Sequence, residues 1–321
     1  MSWVIEMVGT DLNAFYDSRY RELEKIFLER SAKSFGKNFD SIAEKVLDGC
    51  KKSLIAAKKI QAEEKISCGF MSLSFLNSSL IENSPTIQID FYNHDWVYGE
   101  SFSRTKLDAD FLLAEWESFC AEALDEKFFH RARLNPAEIK SLFWDTAEKN
   151  FYLFTCFGKY FLPELEFSTE YQELDKEENF YLTCGMYLDW QERIFAELPE
   201  IDLFNLDANE ETQLRKFEGK IFRDKVFADL DLTKCRFSNC LFDRCKFSSL
   251  RLVDARFRDC RLYHSDFEEI SAAGCLFQNC KFRDTNFSGC NDEPDGSDEY
   301  FFEVQFENCN LTREEFLNGT K

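Results

Sequence analysis

Three spacings of hydrophobic residues succeed one another along this chain. The first is helical. Leu12, Phe15, Tyr16, Leu23, Ile26 and Phe27 share one side of a segment from 11 to 33, with Arg21, Glu22, Glu24 and Lys25 opposite, and Gly36 is expected to end it. Ile42, Ala43, Val46, Leu47, Cys50, Leu54 and Ala57 repeat that pattern from about 40 to 65. The spacing then drops to two. Met71, Leu73 and Phe75 alternate with Ser72 and Ser74, and Ile87, Ile89 and Phe91 alternate with Gln88 and Asp90. These segments predict half-buried strands joined through Asn83-Ser84-Pro85. Helical spacing returns from Ala109 to Lys127, and again after Asn135-Pro136-Ala137-Glu138, where Asn is the expected N-cap, Pro the first helical residue and Glu the third. Pro163 stops that helix, Glu164 to Asn179 reads as a partly ordered acidic connection, and Phe180, Leu182 and Cys184 suggest a third strand. Residues 1–208 therefore predict a helix-rich α+β domain with a small antiparallel sheet. Leu198 to Leu214 is the expected junction, with a short helix at Asn209 to Arg215 as a cap on the C-terminal third of the chain.

From Phe217 to Phe287 the spacing is five. The fifteen positions in phase hold eleven Phe, three Leu (Leu232, Leu252, Leu262) and Ala272, and no Phe of the window falls outside them. Two residues before them runs a column of small residues: Cys235, Cys240, Cys245, Ala255, Cys260, Ser265, Cys275, Cys280 and Thr285. A period of five fits neither a helix nor a strand. A fixed internal repeat means a solenoid, in which stacking of units supplies the core that no unit has alone. Units such as Ala-Arg-Phe-Arg-Asp (255–259), Cys-Lys-Phe-Arg-Asp (280–284) and Cys-Arg-Phe-Ser-Asn (235–239) resemble the pentapeptide-repeat family. The resemblance covers about the last third of the chain. It implies a right-handed, four-sided (quadrilateral) parallel β-helix with twenty residues per coil. Gly69 to Ser74, Ile89 to Tyr92 and Trp96 look similar to the front half of uncharacterised bacterial pentapeptide-repeat proteins, a likeness that brings no activity with it.

The phase fails after Phe287. The next positions would be Asp292 and Ser297, which are not expected in a core, and residues 290–299 read as an acidic loop inserted into the coil, closing near 301. Phe306, Leu311 and Phe316 resume the spacing one residue out of phase, and Thr312 to Leu317 is expected to cap the end. The repeat domain thus spans 209–321.

Composition adds compartment and charge. With 44% hydrophobic residues, a sizeable core is expected in a chain of 321 residues, and no apolar run reaches membrane-spanning length. The first residues, Met-Ser-Trp-Val-Ile-Glu-Met, lack a signal-peptide layout, so a cytoplasmic location is expected. Eight of the thirteen Cys lie in the repeat region, all in the small column, which suits reduced, buried thiols better than disulfides or zinc. Net charge is −21. Residues 1–214 carry 22 Lys+Arg and 40 Asp+Glu, whereas the coil proper, 215–290, carries 15 and 11.

That distribution bears on function. Residues twenty apart stack on one side of such a coil, so Lys216, Arg236 and Arg256 form one basic ladder with Arg258 beside it. Arg261 and Lys281 form another on the adjoining side, near Arg223, Arg244 and Arg283. A solubilising surface partly paired with Asp243, Asp259 and Asp284 is the plainer reading. The sharper one is a docking surface for an acidic protein partner, the acidic N-terminal domain included, and a homodimer through open coil edges is a further expectation. Some pentapeptide-repeat proteins present acidic, duplex-like coils to type II topoisomerases, and the resemblance implies that DNA mimicry as the alternative, although a coil of net +4 argues against it, and membrane or nucleic-acid binding is not expected. The third reading places an enzyme or ligand site in the N-terminal domain, with the pair His94-Asp95 as its acid–base candidate. His94, His130 and His264 lack metal-ligand spacing, no P-loop or nucleophile motif is present, and Asp292, Asp295, Asp298 and Glu299 do not match the EF-hand pattern. No cofactor, metal or catalytic residue is therefore expected.

Overall fold

The computed structural model describes residues 15–125, 136–206, 211–293 and 303–319. Asn135, His130, Leu12, Asn209 and the acids Asp295, Asp298 and Glu299 lie outside the described residues. The chain divides into two compact units, one made of Met1–Glu177 with Leu182–Arg193, the other of Glu178–Tyr181 with Ile194–Lys321.

The first unit is helix-rich. A π-helical turn at Tyr16–Tyr20 runs into α1 (Arg21–Lys37), and α2 comes next at Phe39–Glu64. Gly36 lies inside α1; the break falls at Asn38, whose backbone leaves the helical region (φ −107°, ψ 19°). Then come β1 (Cys68–Phe75), β2 (Thr86–Tyr92), β3 (Ser103–Asp108), α3 (Leu113–Ala123), α4 (Pro136–Phe161), β4 (Lys176–Met186) and β5 (Gln191–Glu197), of which Glu178–Tyr181 and Ile194–Glu197 are counted with the second unit. The apolar faces anticipated for α1 and α2 are buried through Leu23, Phe27, Val46, Cys50 and Leu54. They meet an aromatic cluster in which Phe27 stacks on Phe119 at 4.8 Å and Phe75 on Phe151 at 4.5 Å.

The sheet has five strands in the order β3-β2-β1-β4-β5. β1 pairs antiparallel with β2, and β2 with β3. β4 joins β1 in parallel, because Cys68 N donates to Asp175 O and Tyr187 N to Phe75 O at the two ends of the pair. The sheet is therefore mixed rather than wholly antiparallel. Lys176 to Asn179, expected in a loose connection, are the start of β4, and Leu162–Phe167 and Thr169–Gln172 before them form short helices.

The second unit is the parallel β-solenoid. Among the described residues, thirteen three-residue strands, β6 to β18, begin at Lys216–Glu218 and end at Gln305–Glu307. They stack into three parallel sheets that start at Lys216–Glu218, Ile221–Arg223 and Val226–Ala228, the first of five strands and the others of four. The fourth side carries single bridges, Asp231 to Arg251 to Ser271 to Asn291. Pairs are twenty residues apart, as Phe237 opposite Phe257 and Phe247 opposite Phe267 show, except at the last rung, where Phe306 stands opposite Phe277. Ten of the eleven Phe of the window are buried, and their rings stack face to face down the axis at 4.7 Å (Phe237–Phe257) and 4.3 Å (Phe247–Phe267). Each buried ring contributes about 1.5–3 kcal/mol from removal of apolar surface from water.

The small column has a polar reason as well as a steric one. The thiols of Cys240, Cys260 and Cys280 each donate to the carbonyl of the Phe twenty-three residues earlier (3.3 Å), and the Thr285 hydroxyl makes the same bond to Leu262 O at 3.1 Å. A thiol or a hydroxyl thus serves in one geometry. On the fourth side the small column is missing up to Ile270. There the central positions are Leu232, Leu252 and Ala272, and the positions two residues earlier hold Leu250 and Ile270, both buried.

Both ends of the coil are covered. At the start, Ile201, Leu203 and Phe204 pack on the core, with Phe204 edge-on to Phe227 at 5.0 Å. This segment is not helical, and residues 211–215 hold only a turn at 213–214, so the helical cap anticipated there gives way to apolar side chains from slightly earlier in the chain. At the other end α5 (Arg313–Asn318) is started by a capping box of Thr312 and Glu315 and buries Phe316 completely against Phe287 and Phe306. Asp292 also enters the interior (5% exposed) instead of staying in a solvated loop. Arg313 grips it through Nε (2.6 Å) and Nη2 (3.2 Å), and Val304 N donates to the same carboxylate.

Candidate interaction surface

The outward residues of the coil are placed by strand register. Lys216, Arg236 and Arg256 are paired rung by rung, so the first basic ladder is real in geometry, and it stops where Leu276 comes after Arg256. Arg258 stands between Ser238 and Gln278. Arg261 pairs with Lys281 on the adjoining side, with Tyr263 and Arg283 two residues along.

Accessibility separates these residues. Arg236 is only 3% exposed. Its guanidinium lies 4.9 Å from the Phe195 ring and donates through Nη2 to Ala196 O at 2.9 Å. It holds the segment before the coil and offers no face to a partner, a correction to its place on an outward basic side. Lys216 is half-buried and reaches Glu218 at 3.5 Å, and Arg256 and Arg258 are half-buried too. Arg261 and Lys281 are exposed, and among the described residues neither makes an ion pair.

The neighbouring corner is electrically closed. Asp224, Arg244, His264 and Asp284 recur every twenty residues there, all with φ near +50°. Arg244 clasps Asp224 through Nε (2.7 Å) and Nη2 (3.0 Å) and reaches Asp243 through Nη1 (3.1 Å). His264 stands between Asp243 (3.1 Å) and Asp284 (3.4 Å), Arg223 is 3.8 Å from Asp243, and Arg283 is 3.4 Å from Asp284. The Arg244 guanidinium holds the Asp224 carboxyl below its ordinary range. Three arginines meet three aspartates, so this corner contributes no net charge beyond His264. The twenty-residue recurrence of Asp224, Arg244, His264 and Asp284 was available in the sequence and marks the column that charge counting alone missed.

In the first unit, His94 is exposed (73% of the side chain) and lies 3.5 Å from both Asp95 and Glu177. On the sheet, Asp90 is fully buried, but Arg104 (2.6 Å) and Gln88 (2.7 Å) satisfy it, and Thr183 bonds Ser72 and Gln191 at 2.9 Å each. These groups therefore have partners within the sheet. Among the described residues no cluster of three or more His, Cys, Asp or Glu has metal-binding geometry, and no helix is long and apolar enough to cross a membrane.

The family model for pentapeptide repeats matches residues 221–259 and 255–291. Among curated proteins nothing matches this chain. Among solved structures, full-length QnrB1, described as a plasmid-mediated fluoroquinolone resistance protein, is similar at 22% identity over 32% of this chain and 59% of its own, with a TM-score of 0.23. A trypsin-treated variant of QnrB1 gives 24% identity, 31% and 56% coverage and a TM-score of 0.24. The pentapeptide-repeat protein Rfr23 from the cyanobacterium Cyanothece 51142 gives 16% identity, 30% and 86% coverage and a TM-score of 0.15. The match to QnrB1 spans a little over half the length of that protein. Register, stacked Phe columns and the family match agree that residues 221–291 are built of pentapeptide repeats.

Proposed function

We propose that this chain is a non-catalytic interaction protein whose β-helix is the contacting surface and whose partner is an acidic protein. The observation that carries the reading is the exposed pair Arg261 and Lys281, stacked in register beside a corner whose other charges are already matched. Cations without an internal partner are the ones a binding surface can commit, and Arg261 suits a carboxylate in two-pronged contact. Lys216, Arg256 and Arg258 extend the surface onto the adjoining side. Acidic groups would arrive by electrostatic steering, so binding should weaken as salt rises.

The test compares the full chain with Arg261→Glu/Lys281→Glu as bait in its native extract, at low and high salt. Loss of the same salt-sensitive partner in the variant is expected. An unchanged set of partners, or one indifferent to salt, refutes the reading. DNA mimicry is the weaker alternative, because a duplex mimic needs a negative coil and residues 215–290 carry 15 cationic against 11 anionic side chains. Inhibition or protection in a topoisomerase supercoiling assay would revive it.

A further inference from the structure

Cys240, Cys260, Cys280 and Cys309 occupy one column of the coil, each on the rung above the last. The first three are at most 1% exposed, whereas Cys309 on the final rung is half-buried. It lies two residues beyond Glu307, which pairs with Gln278, so Cys309 stands opposite Cys280. The Cys280 backbone N–H points at the Cys309 sulfur (3.3 Å), and that sulfur also lies 3.3 Å from Phe277 O. Adjacent rungs are separated by about 4.8 Å, within the roughly 4.4–6.8 Å Cα separation that a disulfide spans. The chain therefore ends its thiol column with a half-buried sulfur on the last rung and a buried one on the rung beneath it.

We infer that Cys309 and Cys280 form a thiol–disulfide exchange site, with Cys309 as the attacking thiol, Cys280 as the resolving thiol, and a small soluble disulfide such as oxidised glutathione as the substrate class. In the first step the Cys309 thiolate attacks one sulfur of the disulfide. The S–S bond breaks, a Cys309 mixed disulfide forms, and one small thiolate leaves. In the second, the Cys280 sulfur attacks the Cys309 sulfur and displaces the other small thiolate. Two protein thiols are oxidised, one small disulfide is reduced to two thiols, and the two cysteine protons end on them. The surroundings favour this order of attack. The Cys280 N–H donates to the Cys309 sulfur, and the adjacent Cys280 side chain lowers the Cys309 pKa against the opposing pull of partial burial. Cys120, the other half-buried cysteine, is pushed up to about 12 by burial and serves as the internal control. The product would fasten the rung Gln305–Glu307 to the rung beneath it.

The test uses the folded full chain treated with oxidised glutathione, then quenched with a thiol-blocking reagent and mapped by mass spectrometry. A Cys280–Cys309 disulfide is expected, with Cys120 and the interior cysteines still free. Cys280→Ser should trap the glutathione adduct on Cys309, and Cys309→Ser should leave the chain unreacted. Both variants are expected to fold, since Ser265 and Thr285 already fill equivalent inward positions. A Cys309 adduct that persists in the unsubstituted chain, or reaction of Cys120 and the interior cysteines at the rate of Cys309, overturns the proposal.

Discussion

At the scale of single residues, the coil rests on side chains that have one acceptable identity. Phe247 is 2% exposed between the rings of Phe227 and Phe267. Phe247→Ala should cost about 3–5 kcal/mol. Phe247→Asp, which also buries a carboxylate without a partner, should leave the coil unfolded. Circular dichroism and limited proteolysis would register both, and a protease-resistant Phe247→Asp chain would contradict the core described. Gly274 turns a corner at φ +68°, where a Cβ would collide with the Asp254 carboxylate. Gly274→Ala should therefore lose roughly 1–2 kcal/mol in denaturant unfolding, since an L-residue is strained in that conformation and the side chain must also be moved aside. The Phe and Cys positions were legible from spacing alone, because each fills its place through contacts that repeat with the same period. Asp292 and Arg236 were not. Asp292 owes its burial to Arg313, twenty-one residues later, and Arg236 owes its own to Phe195 and Ala196, forty residues earlier, so neither reason lies in the repeat.

At the scale of elements, legibility depends on where a strand sits in its sheet. β1 and β2 are interior strands and announce themselves by alternating large apolar residues. β3 and β5 are the two edges, and β3 reads Ser-Arg-Thr-Lys-Leu-Asp with alternate positions exposed, a pattern that polar loops share. The end of the coil is the element most open to test. Arg313→Met leaves the buried Asp292 without its cation, so the last rung and α5 should fray, seen as faster amide exchange and cleavage over 303–318. Asp292→Leu combined with Arg313→Met should recover much of that loss, because Leu fills the corresponding central position at Leu232 and Leu252. The corner column adds a pH dependence. The Asp224 carboxyl is depressed in the folded state by Arg244, so its contribution is present above the unfolded aspartate value of about 3.9 and disappears as pH falls through the lower folded value. Thermal midpoints of the coil should drop across that acid range, and less steeply in Asp224→Asn.

At the scale of the whole molecule, charge and fold are divided between two units. The acidic excess lies before residue 215 and the coil is mildly basic. The helix-rich part and the solenoid were both legible in outline, because helical spacing and a period of five are long-range signals that a few misplaced residues do not erase. The interaction surface was legible only as far as register. Which cations are covered or paired depends on Asp243, Asp284 and Ala196, and no spacing rule reports that. For the proposed contact, Arg261→Glu/Lys281→Glu should weaken binding at least tenfold at low salt while leaving the melting curve of the coil unchanged, since these side chains support nothing inside the molecule.

The dependence of the coil on phenylalanine has an optical consequence. The tryptophans among the described residues, Trp96, Trp116, Trp144 and Trp190, belong to the first unit, and the solenoid core is built from a chromophore that tryptophan excitation does not reach. Indole fluorescence should therefore track the first unit alone, while the peptide band in circular dichroism tracks both. Two different midpoints from the two signals would mean independent unfolding, and coincident midpoints would mean that the units melt as one.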